Sequence, residues 1–184
     1  MPEGDHAIVD WGDRLVAHTD ASGAGGYRLF LPAAGRDALF QELRAAGAVE
    51  ATAGDARAAR IENGRPRYGE DLTEDYIPHE TQLMQAIHFS KGCYLGQEIV
   101  ERVRSRGQVN KKLVRLRLEG GNAPEPGAKL MSGDKEAGVI TSAVVSPASG
   151  NVLALGYVRT QHAEVGEKLS IEGGGAEVVA SGPN

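Results

Sequence analysis

Cysteine is nearly missing. Cys93 stands alone, which excludes an intrachain disulfide framework and a metal site built from several cysteines. Aromatic residues make up only 5%, and Trp11 and the five tyrosines are too dispersed to form a stacking platform for single-stranded nucleic acid. No apolar run approaches the ~18–20 residues of a membrane span. The opening ten residues also lack the basic-then-apolar pattern of a secretory signal. A cytoplasmic protein without a membrane partner is therefore expected. The five histidines (His6, His18, His79, His88 and His162) show neither HxH nor HExxH spacing, so no metal site is expected. The glycine-rich stretch Gly23–Gly26 lacks the Gly-Lys-Ser/Thr ending of a phosphate-binding loop and leads from one strand pattern into another, so it reads as a turn. A serine nucleophile elbow is absent too.

What is present is glycine, 25 of 184 residues, about twice the usual ~7% and without a fixed period. It punctuates many short elements. With 41% hydrophobic and 24% charged residues the chain can bury a core, either one sizeable domain or two small ones. Net charge is −5, which argues against a general polyanion binder. Charge is nevertheless uneven. Lys91, Arg102, Arg104, Arg106, Lys111, Lys112, Arg115 and Arg117 form a basic strip interrupted only by Glu98 and Glu101. Just upstream, Glu70, Asp71, Glu74, Asp75 and Glu80 occur without a lysine or arginine among them. The two segments either face each other or solvent, or the strip serves an anionic ligand or partner.

The first half reads as mixed α and β. Strand patterns at Arg14–Thr19 and Tyr27–Leu31 flank the glycine turn. Leu39, Phe40 and Leu43 at helical spacing predict a helix over Arg36–Ala46, closed by Gly47. Thr52 and Asp55 form a capping-box-like start for a second helix through Asn63, stopped by Gly64 and Pro66. A third helix is expected from about Leu95–Gln97 to Gly107. After it, Val114, Leu116 and Leu118 alternate with arginines, the period of a half-buried strand. Further strands are expected around Lys129–Met131, Ala137–Val145, Val152–Val158, Lys168–Glu172 and Glu177–Ala180. Six strands and no helix predict a small antiparallel barrel or sandwich, with a boundary near Gly107–Asn110.

The most specific stretch is Lys91-Gly92-Cys93-Tyr94-Leu95-Gly96-Gln97-Glu98. It sets a thiol two residues from a lysine, in a glycine-flanked loop before a helix N-terminus. Both neighbours favour a thiolate, so Cys93 is either a nucleophilic or redox-responsive thiol or a small packing residue. Glu62, at the close of the second helix, is a surface acid or a ligand anchor.

This octapeptide resembles the K-G-C-Y-x-G-Q-E signature of the YgfZ-type folate-binding proteins, relatives of the glycine-cleavage T-protein (aminomethyltransferase). Arg60-Ile61-Glu62-Asn63-Gly64 with Gly69, and Ile77-Pro78-His79-Glu80, resemble two further segments of that superfamily. Gly138–Ser142, Ser146-Pro147 and Leu153–Val158 resemble its C-terminal barrel. The resemblance implies an α+β fold: a T-protein-like folate-binding domain over residues 1–108, lacking its N-terminal part, then a small antiparallel β-barrel over 109–184. It implies tetrahydrofolate, or a one-carbon derivative, as cofactor, and an accessory role in iron–sulfur cluster assembly or repair, with client or assembly proteins as partners and no nucleic acid. Glu62 would anchor the pterin, since a carboxylate can accept two parallel hydrogen bonds from its N–H edge. Arg60, Lys91, Tyr94 and Gln97 carry over as cofactor-binding members, and Cys93 as the candidate catalytic thiol. The two sites, thirty-one positions apart, are expected to border one cavity. Two departures stand out: family members are longer, and Gly26-Tyr27-Arg28 replaces the Gly-Tyr-Glu common in T-proteins. The alternatives are a folate-dependent aminomethyltransferase, and a non-folate module docking an acidic protein or RNA through the basic strip.

Overall fold

The computed structural model describes residues 4, 6–107 and 109–182, the side chains of 104–106 excepted. Arg104 and Arg106 of the basic strip, and position 108 at the expected boundary, lie outside the described residues. The chain divides into two compact units, Met1–Arg60 and Ile61–Asn184.

In the first unit, β1 (Ile8–Trp11), β2 (Arg14–His18) and β3 (Tyr27–Phe30) form an antiparallel sheet in the order β1-β2-β3. Leu15 stands opposite Phe30 and Val16 lies between Val9 and Leu29. Helix α1 (Arg36–Ala45) follows, ending where Gly47 takes a φ of +92° and its N–H meets the Arg44 carbonyl. Arg14 of β2 donates to Glu42 of α1 at 2.8 Å, tying the helix to the strand. Val16 of β2 and Leu39 of α1 are both buried. Helix α2 (Ala53–Glu62) begins with the expected reciprocal cap. Thr52 donates its N–H and hydroxyl to the Asp55 carboxylate, and Thr52 Oγ1 accepts the Asp55 N–H. These bonds hold the Asp55 carboxyl below its ordinary pKa.

The second unit carries α3 (Gln97–Arg106) and a closed antiparallel barrel ordered β4-β7-β6-β5-β8-β9. Its strands are β4 (Lys111–Leu118), β5 (Lys129–Ser132), β6 (Lys135–Val145), β7 (Val152–Arg159), β8 (Lys168–Ile171) and β9 (Gly174–Ser181). Alternation sorts the side chains. Val114, Leu116 and Leu118 of β4 join Leu130, Ile140, Val152, Val158 and Val178 in the barrel interior. The opposite phase of β4 and β7 puts Leu113, Leu155 and Tyr157 in a second cluster on the outer wall, with Tyr76 packed against it. β6 and β7 approach closely at Gly156: a Cβ there would lie 2.5 Å from the Val139 carbonyl oxygen. The α+β architecture with a closed six-stranded barrel agrees with the expectation.

Candidate functional site

The outer wall of β4, β7 and β6 is dressed by the irregular segment that follows α2. Its first fixed point is Gly64, whose φ of +71° ends the helix. The Arg115 side chain lies across it, so close that a Cβ would come within 2.3 Å of Arg115 Cδ. The second point is Asp71, fully buried. Its Oδ1 accepts from Thr141 Oγ1 at 2.6 Å and Ser142 Oγ at 2.7 Å, and its Oδ2 from the Arg67 N–H at 3.0 Å. Two consecutive residues of a strand normally point to opposite faces. Here the register shifts between Ile140 and Ser142, so Thr141 is the extra residue of a bulge and both hydroxyls face outward. Tyr157 Oη closes the clamp by donating to the Asp71 carbonyl at 3.0 Å.

The third point is aromatic. Tyr76 stacks on Tyr157 with ring centres 3.5 Å apart and planes within 4°. The Lys111 ammonium sits 4.2 Å from the Tyr76 ring centre. Burial, then the neighbouring Tyr76, Asp71 and Glu80, push the Tyr157 phenol well above its ordinary pKa. Tyr76 is raised for the same leading reason. Both are therefore neutral hydrogen-bonding and stacking groups near pH 7. Beside them opens a cleft of about 1140 Å³ lined by Asp75, Glu80, Lys111, Glu136, Tyr157 and Arg159, among others.

Glu62 stands half-buried at the end of α2. Its Oε1 accepts from Ser146 Oγ at 2.5 Å. Ser146 is itself fixed in the β6–β7 turn: its hydroxyl accepts from the Ser149 N–H at 3.1 Å and its N–H meets the Asn151 carbonyl at 2.8 Å. The β6–β7 turn thus fixes one oxygen of the carboxylate. Arg60, two residues earlier, is buried. The signature loop is held by its own members. Lys91 Nζ lies 4.2 Å from the Tyr94 ring centre, and the Tyr94 N–H donates to Gln97 Oε1 at 3.2 Å. Gly96 precedes α3 at a φ of +88°. Cys93 is exposed at the surface of this loop. The structure therefore brings Lys91, Tyr94 and Gln97 together, and ties Glu62 to Ser146. The large cleft is lined by neither Glu62 nor Cys93.

Sequence reasoning did not single out Asp71, Thr141, Ser142, Tyr76 or Tyr157. Asp71 sat in an acidic run read as facing either the basic strip or solvent, and the bulge leaves no periodic mark. The Thr-Ser pair was visible only as part of a barrel resemblance. The basic strip divides up: Lys111 covers Tyr76, Arg115 lies over Gly64 and Arg117 pairs with Glu177 at 2.5 Å.

Comparison with known proteins gives this arrangement a context. Residues 111–181 match the family model of the glycine cleavage T-protein C-terminal barrel domain. An aminomethyltransferase of Rubrobacter xylanophilus is 37% identical over 151 residues, spanning 82% of this chain and 40% of that protein. The chain is homologous to the T-protein (aminomethyltransferase) superfamily. The aminomethyltransferase of Synechococcus elongatus is 30% identical over 98% of this chain and 49% of its own length. The crystal structure of glycine cleavage system aminomethyltransferase T from Bartonella henselae shares the fold, with a TM-score of 0.85 at 22% identity over 96% of this chain and 51% of that one. The chain thus spans about half the length of these aminomethyltransferases. Among the described residues no helix is long and apolar enough to cross a membrane, and no group of three or more His, Cys, Asp or Glu could hold a metal ion.

Proposed function

We propose that this chain binds a reduced folate as the carboxy-terminal portion of an aminomethyltransferase-type fold, acting in aminomethyl transfer. The observation that carries the reading is the homology to aminomethyltransferases over 82% to 98% of the chain. The Ser146-held Glu62 gives it a candidate anchor. In this reading Glu62 accepts the N–H edge of the pterin of tetrahydrofolate, or of a one-carbon derivative, and Arg60 supports it. The functional division is a folate-binding part over 1–108 and a barrel over 109–184, in a cytoplasmic protein.

A second reading rests on a different observation: the signature from Lys91 to Glu98 presents an exposed Cys93. That favours a YgfZ-type accessory role in iron–sulfur assembly, with cluster-assembly or client proteins as partners, Cys93 as the reacting thiol, and Lys91, Tyr94 and Gln97 shaping its loop. The module that docks RNA or an acidic protein is not favoured, because Lys111, Arg115 and Arg117 are each engaged within the barrel wall.

Calorimetric titration with tetrahydrofolate tests the proposal. Saturable binding is expected, and Glu62→Ala is expected to weaken it at least about tenfold, or ~1.4 kcal/mol. Absence of saturable binding at millimolar folate overturns both folate readings. Aminomethyl transfer with a lipoylated carrier separates the first from the second.

A further inference from the structure

The hydrogen bonds behind Glu62 run in one direction. The Asn151 N–H, which can only donate, meets Ser149 Oγ at 3.3 Å. Ser149 donates its O–H to Ser146 Oγ at 3.0 Å, and its backbone N–H reaches the same oxygen at 3.1 Å. A serine hydroxyl has two lone pairs and one proton. With both lone pairs of Ser146 taken, its proton has one destination, Glu62 Oε1 at 2.5 Å. Ser146 is buried and its N–H is bonded to the Asn151 carbonyl at 2.8 Å, so the hydroxyl is held where it stands. It has no lone pair left with which to accept from Glu62, so Glu62 meets it as an acceptor. Glu62 Oε2 takes no hydrogen bond from the described residues.

We propose that Ser149 and Ser146 are positioning residues that make the open side of Glu62 an acceptor-only subsite. Such a subsite selects a heterocycle by the N–H donors on its edge and rejects one that brings a carbonyl oxygen there. The proposal rests on the folate reading for its ligand. The 2-amino-4-oxo ring of tetrahydrofolate presents two adjacent N–H donors. Its 2-oxo counterpart replaces one of them by an acceptor, which a carboxylate repels and leaves unpaired.

Calorimetry of the wild-type chain is expected to favour tetrahydrofolate over its 2-deamino-2-oxo analogue at least about tenfold. Ser149 is exposed, so its replacement leaves the packing intact. Ser149→Ala is expected to narrow that ratio about threefold or more, and Ser149→Thr to restore it. Glu62→Gln is expected to invert the preference, because the relay donates into the new amide's oxygen and turns its NH2 toward the ligand. Ser146→Ala in that background is expected to abolish the inversion. Ligand-free melts judge the relay by itself: Ser149→Ala and Glu62→Ala are expected to lower the midpoint less together than their separate losses summed. An unchanged ratio in Ser149→Ala, no inversion in Glu62→Gln, or additive melts would each overturn the proposal. Tetrahydrofolate that does not bind the wild type overturns the folate reading, and the melts then decide the relay.

Discussion

Replacing Asp71 by alanine removes the point where the segment after α2 is fastened to the barrel wall. The side chain is fully buried, and its carboxylate accepts hydrogen bonds from Thr141, Ser142 and the Arg67 N–H. A net contribution of about 1.5–3 kcal/mol for each bond to a charged group sets an upper range, and relief of the buried charge reduces it. The Ser142 hydroxyl and the Arg67 N–H lose their acceptor. Thr141 keeps its alternative, the Leu155 carbonyl at 3.1 Å. A loss of about 3–5 kcal/mol is expected. In a unit of this size each kcal/mol moves the midpoint by about 4 °C, so the melt falls by about 12 °C or more. Asp71→Asn is expected to cost less. Its oxygen can accept the Arg67 N–H while its amide donates to the two hydroxyls, which can reorient. The assay is differential scanning calorimetry of the two variants and of Ser142→Ala alone and with Asp71→Ala. A midpoint for Asp71→Ala within about 2 °C of wild type, or full additivity with Ser142→Ala, would refute the clamp.

Gly156→Ala forces a methyl to within 2.5 Å of the Val139 carbonyl oxygen, so β6 and β7 must part; a loss of about 1–3 kcal/mol is expected in chemical denaturation. The raised pKa of Tyr157 and Tyr76 means that the fold favours their neutral forms. Their stabilisation is complete below the ordinary value of about 10 and is lost as pH rises toward the folded-state values. Stability is therefore expected to fall above about pH 10, less steeply in Tyr157→Phe than in wild type, as read by urea midpoints against pH. Cys93, exposed in the native protein, is expected to alkylate completely without denaturant; slow labelling that urea accelerates would contradict its placement.

Much of the fold was legible because its signals are local. The Thr52–Asp55 cap, Gly47 and Gly107 at helix ends, and the alternation in β4 each act within a few residues of chain. The β1 strand was not foreseen. Ile8, Val9 and Trp11 do not alternate cleanly with polar residues, and the pairing with β2 rather than intrinsic preference makes them a strand. Of the candidate site, Glu62 and the Lys91–Gln97 loop stood out as a resemblance, while the hold of Ser146 on Glu62 joins positions 84 residues apart. No periodicity reports a contact of that span.

From sequence alone came the three helices, the count of six barrel strands, the lone thiol and the superfamily. These follow from neighbours in the chain, where capping, turn and alternation preferences act. Tertiary structure alone decided that an acidic residue in a polar run becomes a buried anchor, and that Thr141 and Ser142 share a face. It also divided the run of cations among a tyrosine stack, a glycine and a carboxylate. A side chain's role there depends on which strand register brings its partner opposite, and register is set by the closing of the whole barrel.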